Sequence, residues 1–201
     1  TAANQEDLDA FRRGIEPLAS AGKLGVLLAQ FPASFHATPA NRVHLLTLLR
    51  AFRAHALAVE FRHRSWSDRA GETRHLLGAF GAGWVWIDEP RFKDSIAPPA
   101  LDAGPLAYLR LHGRNAKHWW RGDRDERYNY LYARDELAPI ADQIVAVAKR
   151  GGKTRAYLNN HPNSRSIVNA LDLSQLVAER WTAVAPTTVR QGSLTLKDPA
   201  S

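Results

Sequence analysis

Short apolar runs alternate with longer amphipathic segments along the chain. The apolar runs cover residues 24–29, 57–59, 84–87, 106–111 and 156–158. The segments between them repeat apolar residues at helical spacing, which is typical of helices that bury one face. Strands that alternate with helices favour a parallel sheet with crossover helices. The pattern therefore predicts an α/β fold with five parallel strands and outer helices.

The helices can be placed from their apolar spacing and from the Gly and Pro residues beside them. We expect helices over residues 6–21, 39–52, 69–80, 134–150 and 164–179. Their buried stripes are predicted to be Leu8, Phe11, Ile15 and Leu18; Val43, Leu46, Leu49 and Phe52; Leu137, Ile140, Ala141, Ile144, Val147 and Ala148; and Ile167, Leu171 and Leu176. Because the chain begins on a helix with no strand before it, a TIM-like (β/α) barrel that is incomplete at the N-terminus is favoured over a complete open sheet.

Each apolar run stops at polar residues. In a parallel α/β fold the carboxyl ends of all strands lie on one face, which is where ligands bind. That face is predicted to collect the side chains of Gln30, Glu60, Arg62, His63, Asp88, Arg110, His112, Arg114, Asn159, Asn160 and His161. The sequence therefore predicts the place of a functional site more clearly than its reaction.

Composition narrows the class of protein. The 201 residues contain no cysteine, which excludes disulfides, thiolate metal sites and cysteine nucleophiles. No apolar run reaches the ~20 residues that cross a bilayer, and no signal peptide is recognisable, so a cytoplasmic protein without membrane contact is expected. The sequence lacks a Walker phosphate loop, Gly-x-Gly-x-x-Gly, His-Glu-x-x-His and Gly-x-Ser-x-Gly.

The formal charge is +7, with 21 arginines and 6 lysines. Such a balance favours phosphate-bearing partners or nucleic acid, although a generally basic surface explains it equally well. Arginine is suited to two-pronged recognition of phosphate or carboxylate, provided that it lies in the site.

Four residues at the strand ends are candidates for catalysis. Glu60 and Arg62 share one face of a strand, so Glu60 is either a general base, a metal ligand or the partner of Arg62 in a structural ion pair. His112 could shuttle a proton or bind metal. Asp88 and His161 complete this set. A divalent metal is compatible with these carboxylates and histidines, but no cofactor can be assigned.

Other residues are candidates for ligand binding. Arg110 and Arg114 alternate with His112, and with Arg62 they could clamp an anion. His63 and Gln30 stand at strand ends, and Asn159 with Asn160 could either hold a hydroxyl group or cap the next turn. The long loop over residues 115–127 carries Trp119 and Trp120, which suit stacking on a sugar or base, and Tyr128 follows it.

Several of these segments resemble one family. Residues 58–66 read Ala-Val-Glu-Phe-Arg-His-Arg-Ser-Trp, and four further segments follow the same family order at residues 27–35, 108–114, 128–132 and 157–161. Together they are similar to the DUF72 (YecE-like) family. The resemblance implies a TIM-type β/α barrel of unsettled activity, sometimes described as related to sugar isomerases. Family members carry additional N-terminal strands, which are not found in this sequence.

Two functional hypotheses follow. The first is an enzyme, isomerase-like or hydrolase-like, that acts on a small polar or anionic molecule such as a sugar or a phosphorylated metabolite. The second is a module that binds an anion or nucleic acid without turnover. Residues 1–181 are predicted to form the partial barrel and residues 182–201 a poorly ordered tail. Exposed strand edges would favour self-association.

Overall fold

A computed structural model describes residues 4–97, 100–101 and 106–181. The helices are α1 (Gln5–Ser20), α2 (Pro39–Ala51), α3 (Ala70–Gly78), α4 (Arg124–Tyr128), α5 (Arg134–Lys149) and α6 (Arg165–Arg180). The strands are β1 (Leu27–Gln30), β2 (Leu57–Glu60), β3 (Gly83–Trp84), β4 (Trp86–Asp88), β5 (Ala107–Leu111) and β6 (Thr154–Leu158). Two 3₁₀ turns lie at Arg64–Trp66 and Pro162–Ser164. The predicted tail over residues 182–201 lies outside the described residues.

The strands form two three-stranded sheets, in which all strand pairs are parallel and follow chain order. β1 pairs with β2 and β2 with β3, while β4 pairs with β5 and β5 with β6. The predicted third strand is divided at Val85, whose N–H donates to the carbonyl of Val59 in β2 at 2.9 Å. The segment therefore bonds to β2 with its first half and to β5 with its second half. The predicted α/β fold with parallel strands and outer helices is confirmed.

Local sequence explains where the helices begin. The Asn4 side chain accepts from the N–H of Asp7 at 2.7 Å, and the Thr38 hydroxyl accepts from the N–H of Asn41 at 3.2 Å. Both are N-caps that satisfy backbone donors left free by the helix geometry. Pro39 occupies the first turn of α2, where its missing N–H costs nothing.

The core has two parts, one on each half of the sheet. The first packs α1, α2 and α3 against β1 to β4 around Leu45, Leu49, Phe61 and Trp66. The second packs α5 and α6 against β5 and β6 around Leu109, Leu137 and Leu173. Both lie beside the strands and leave the carboxyl ends of the strands free for polar groups.

Several predicted stripes were wrong. Phe11, Leu18, Val43, Ile167 and Leu171 are half or more exposed. The buried residues of α2 are Leu45 and Leu49, and those of α6 are Asn169, Leu173 and Leu176. In both helices the apolar side chains spread over more than one face, so spacing alone does not select the face that meets the sheet. In α5, Leu137, Ile140, Ala141 and Val147 are buried as predicted.

Across residues 4–97, 100–101 and 106–181, no helix combines the length and apolarity needed to cross a membrane.

Candidate functional site

A cavity of about 650 Å³ opens at the carboxyl ends of the strands. Gln30 lies at the end of β1, Arg62 and His63 follow β2, and Glu89 follows β4. The cavity is lined by Gln30, Ala33, His36, Arg62, His63, Glu89, Phe92, Lys93, Asp94, Ser95, Trp119, Trp120, Arg127 and Tyr128. Six of the predicted ligand-binding residues are therefore together on its wall: Gln30, Arg62, His63, Trp119, Trp120 and Tyr128.

A buried ion network lies beside the cavity and is centred on Glu60. The side chain of Glu60 has no exposed surface. Its Oε1 accepts from Arg62 Nη2 at 2.7 Å, and its Oε2 accepts from Arg110 Nη1 at 2.7 Å. The Arg110 guanidinium also donates to Gln30 Oε1 at 2.6 Å, so side chains from β1, β2 and β5 meet. Paired hydrogen-bonded charges of this kind can stay ionised without water.

The network fixes the charge states of its members. Burial alone would raise the pKa of Glu60, but neighbouring His112, Arg62 and Arg110 outweigh burial and lower it to about 2. Burial lowers the pKa of His112 and favours the neutral ring. His112 Nε2 lies 3.2 Å from Arg62 Nη2 and 3.5 Å from Glu60 Oε1. Glu60 is therefore a carboxylate and His112 a neutral imidazole.

Glu89 is the site residue that sequence reasoning missed. It follows Asp88 directly, and its side chain is 5% exposed. Its Oε2 accepts from Arg62 Nη1 at 2.8 Å, so Arg62 bridges Glu60 and Glu89. Burial raises the pKa of Glu89 to about 7, with a further contribution from the negative charge of Glu60. Its position directly after Asp88, at the end of a strand, is the sequence signal that points to a site residue.

Asp88 and Arg114 form a second charged group on the opposite side of β4. Arg114 Nε donates to Asp88 Oδ2 at 2.9 Å, and Arg114 Nη1 donates to Glu136 Oε1 at 2.9 Å. The Tyr130 hydroxyl donates to the same Glu136 oxygen at 2.7 Å. Arg114 is thus fixed by two carboxylates, and it lines a separate cavity of about 440 Å³ together with Asp88 and Glu89.

The residues that follow β6 have different surroundings from one another. Asn160 is fully buried, and its Nδ2 donates to the carbonyl of Tyr130 at 2.9 Å and to Asn169 Oδ1 at 2.8 Å. The carbonyl of Asn159 is 3.0 Å from His161 Nδ1. His161 is partly exposed and its Nε2 lies 3.6 Å from Asp125 Oδ1. The structure therefore places Asn160 in buried hydrogen bonds and His161 at the surface beside the long loop.

The predicted long loop contains a short helix, α4. The Asp123 side chain accepts from the N–H of Glu126, and the Glu126 side chain accepts from the N–H of Asp123, which is a capping box. Trp119 is buried, with the guanidinium of Arg127 5.9 Å from its ring centre. Trp120 is 63% exposed and lies 5.5 Å from the ring of Phe92. The Asp-x-x-Glu spacing at residues 123–126 is the sequence signal for this helix start.

Two histidines, His36 and His63, also line the cavity. The rings of His36 and His63 stack at 3.8 Å, and His63 Nδ1 lies 2.9 Å from the Ser65 hydroxyl oxygen. Burial lowers the pKa of His63, and the adjacent His36 lowers it further. Within the described residues, no three His, Asp or Glu side chains converge in a way that could hold a metal ion.

Tyr132 and Asn169 are two further residues that sequence reasoning missed. The Tyr132 hydroxyl accepts from the N–H of Gly113 at 2.8 Å, just after β5. Gly113 has φ +87°, and a Cβ at this position would lie 2.7 Å from the Cβ of Tyr130. A glycine is required there both for the backbone angle and for the close contact. Asn169, on α6, forms hydrogen bonds with the backbone N–H and carbonyl of Tyr132.

The geometry defines the class of protein: a parallel α/β protein with a buried ion network beneath an aromatic-lined, ligand-sized cavity at its strand ends. The chain belongs to the family described as "Protein of unknown function DUF72", which matches residues 1–193. The family resemblance read from the sequence motifs is thus confirmed.

Similar proteins support this assignment. The UPF0759 protein YunF of Bacillus subtilis (strain 168) is 26% identical over 193 residues, which cover 92% of this chain and 68% of that protein. The crystal structure of a DUF72 family protein from Thermotoga maritima MSB8 is 34% identical with a TM-score of 0.80, covering 87% of this chain and 65% of that one. One from Enterococcus faecalis V583 is 25% identical with a TM-score of 0.80, covering 88% and 67%. The chain spans about two thirds of the length of these relatives.

Proposed function

We propose that the cavity at the strand ends binds a small polar molecule that carries an anionic group, and that the protein is an enzyme acting on it by proton transfer. A sugar or a phosphorylated metabolite, in an isomerase-like or hydrolase-like reaction, matches this chemistry. The observation that carries the proposal is the composition of the cavity wall, where cationic side chains, imidazoles and aromatic rings surround one space of about 650 Å³. This volume is typical of small-molecule sites.

The cationic groups of the wall differ in their availability to an anion. Arg62 is occupied by Glu60 and Glu89. In contrast, Lys93 and Arg127 form no ion pair with any part of the chain that the structure describes. An anionic group of the ligand would therefore lie nearer to Lys93 and Arg127, with its ring or apolar face against Trp120. Stacking on tryptophan together with a cation is a common way to hold sugars and bases.

The predicted catalytic roles of Glu60, Asp88, His112 and His161 stay predictions, as do the anion-clamp roles of Arg110 and Arg114. Their close pairing supports a fixed electrostatic framework next to the ligand. Preorganised charges of this type stabilise transition states because they need no rearrangement during the reaction.

We also propose that the six strands belong to a TIM-type barrel. Parallel strands in chain order with helices between them support it, and so does the contact from Arg110 on β5 to Gln30 on β1 at 2.6 Å. That contact spans the strands between them, so the sheet curves enough to bring distant strands together, as closure into a barrel requires. A cytoplasmic location stays a prediction.

A thermal-shift screen of the chain against sugars, sugar phosphates and inorganic sulfate tests the binding proposal. A ligand present at about 100 times its Kd should raise the midpoint by about 5–10 °C in a chain of this size. Lys93→Ala and Trp120→Ala should remove most of that shift. Lys149→Ala, which changes an exposed lysine in the last turn of α5, is the matched control and should leave the shift unchanged. Equal shifts in all three variants would contradict the proposal.

Nucleic-acid binding is the other function that the basic composition favours. A binding assay on the same protein distinguishes it from small-molecule binding. If several phosphates are contacted, affinity for a single-stranded oligonucleotide should fall steeply between 50 and 200 mM salt, by about 10³ or more. Tight, salt-dependent oligonucleotide binding without any small-molecule shift would favour a binding module over the enzyme.

A further inference from the structure

We propose that Glu89, rather than Glu60, is the proton donor of this cavity: its carboxyl group transfers a proton to an oxygen of the bound molecule. This inference rests on the proposed function of the cavity and deepens it. It assigns a role to a residue that the sequence motifs do not single out.

The positions of the two carboxyl groups separate their roles. Both are bound to one guanidinium, Arg62, but only Glu89 lines the cavity. Both oxygens of Glu60 are occupied, Oε1 by Arg62 and Oε2 by Arg110. In Glu89 only Oε2 is engaged, and its Oε1 makes no hydrogen bond within residues 4–97, 100–101 and 106–181. A proton on Oε1 is therefore available to a molecule in the cavity, whereas Glu60 has no free oxygen.

The electrostatic surroundings of Glu60 and Glu89 also distinguish the roles of the two carboxyl groups. Glu60 is held as a carboxylate by three neighbours. Burial and the negative charge of Glu60 oppose ionisation of Glu89, and they outweigh Arg62, which favours it. Two titratable groups whose environments push their ionisation in opposite directions are the pattern of an acid and its stabilising partner. The charged and titratable groups around Glu89 and its cavity are Glu60, Arg62, Asp88, Arg91, His112, Arg114, His36, His63, Lys93, Asp94 and Arg127.

The proton balance of the step is simple. The O–H bond of Glu89 breaks, an O–H bond forms on the ligand oxygen, and the electron pair stays on Glu89 as a carboxylate. Arg62 Nη1 already donates to Oε2 at 2.8 Å, so the new negative charge is stabilised without movement of the chain. Glu89 also borders the second cavity of about 440 Å³, which offers a route for reprotonation.

The ionisation of Glu89 can be measured directly by ¹³C NMR on protein labelled at the glutamate carboxyl carbon. The chain has eight glutamates, so single resonances can be followed from pH 4 to 9. We expect one resonance with a midpoint near 7 that is lost in Glu89→Gln and in Glu89→Asp, while Glu136→Gln leaves it in place. The aspartate variant keeps the carboxyl group and guards against a folding defect in the glutamine variant. If all eight resonances titrate below pH 5.5, the proposal is wrong.

The second measurement tests whether the carboxyl group of Glu89 lies next to an anion bound in the cavity. Sulfate is the probe, since it does not titrate in this range, and tryptophan fluorescence of the full chain reports its binding. Ionisation of Glu89 should lower sulfate affinity about tenfold as pH rises through 7. Glu89→Gln should remove this component and leave only a smaller one at lower pH, from His63.

The outcomes separate this inference from the proposed function. Sulfate binding whose pH profile is the same in wild type and Glu89→Gln would overturn the role of Glu89 while leaving the binding site intact. Absence of sulfate, sugar and sugar-phosphate binding at every pH would overturn the proposed function, and the NMR midpoint would still report on Glu89. Support requires both the midpoint near 7 and the lost component of sulfate affinity.

Discussion

The Glu60 carboxylate is the buried charge that joins the strand ends. It forms ion pairs with Arg62 and Arg110, and both arginine side chains are less than 15% exposed. Removing one member of a buried, hydrogen-bonded ion pair leaves an uncompensated charge, which costs about 3–5 kcal/mol. Glu60→Gln should therefore lower the free energy of unfolding by about that amount, as measured by urea denaturation at pH 7.

A matched control uses an ion pair of similar distance at the surface. Arg134 Nη2 lies 2.6 Å from Glu179 Oε1, but both side chains are almost half exposed. Exposed pairs contribute about 0–1 kcal/mol, so Glu179→Gln should have little effect. Equal losses in the two variants would show that Glu60 is not the centre of a buried network.

The raised pKa of Glu89 predicts a dependence of stability on pH. Below its ordinary pKa of 4.5 the residue is protonated in both states, and above about 7 it is ionised in both. Between these values only the unfolded chain loses the proton, so the folded state binds more protons and loses stability as pH rises. The free energy of unfolding of Glu89→Gln, relative to wild type, should therefore increase from pH 4.5 to 7 and level off above.

Glu136 is the control for this pH effect, because its shift has the opposite direction. Burial raises the pKa of Glu136, but Tyr130, the Ala133 N–H and Arg114 outweigh burial and lower it. Its contribution to stability is complete above its ordinary pKa and is lost only below it. Glu136→Gln should thus show a constant difference from wild type between pH 4.5 and 7. A parallel change in both variants would exclude Glu89 as the cause.

At the residue level, the sequence predicted positions better than roles. A polar residue at the carboxyl end of a parallel strand must lie on the common face, so Gln30, Arg62 and His63 were placed from the pattern alone. Which carboxylate faces the ligand depends on side-chain contacts from three strands. The bridge through Arg62, which encloses Glu60 and leaves Glu89 at the cavity, has no signature in local sequence.

At the level of elements, one asparagine joins α6 to the segment before α5. Asn169 is fully buried; its Nδ2 donates to the carbonyl of Tyr132 at 2.8 Å and its Oδ1 accepts from the Tyr132 N–H at 2.9 Å. Asn169→Ala would leave both backbone groups unpaired, at about 1–3 kcal/mol for each. Urea denaturation should show this loss, while Gln175→Ala on the exposed face of α6 should be close to neutral. A loss no larger than that of Gln175→Ala would contradict the proposed anchoring role.

The same helix shows why element faces were harder to predict than element positions. Apolar residues surround α6, among them the exposed Ile167 and Leu171 and the buried Leu173 and Leu176. Several stripes at helical spacing are therefore available, and tertiary packing selects one. In α5, Leu137, Ile140, Ala141 and Val147 of the predicted stripe are buried, and Val145, which the stripe did not include, is buried as well. Periodicity therefore predicts most of the buried face of this helix but not all of it.

At the level of the whole molecule, the two sheets have open edges at the outer strands β1 and β6. β1 pairs only with β2, and β6 pairs only with β5, within the described residues. An apolar groove of about 220 Å³ lies beside β1 and is lined by Asp7, Leu8, Phe11, Leu27, Leu28, Ala29, Leu48, Phe52 and Leu57. Phe11 is 51% and Leu28 36% exposed there. In α1, Leu8 of the predicted stripe is buried, whereas Phe11 is half exposed because it borders this unpaired strand edge.

This edge predicts association of the 201-residue chain. Unpaired strand edges next to exposed apolar side chains are sites where a second chain can add. Sedimentation velocity should show a species larger than a monomer whose proportion grows with concentration. Leu28→Lys, which puts a charge at the edge strand, should shift the equilibrium toward the monomer by tenfold or more, an effect of about 1.4 kcal/mol or above. Val43→Lys is the matched control, since Val43 is 63% exposed on α2 but does not line the groove. A monomer at all concentrations, or equal effects of the two lysine variants, would show that the β1 edge is not an association surface.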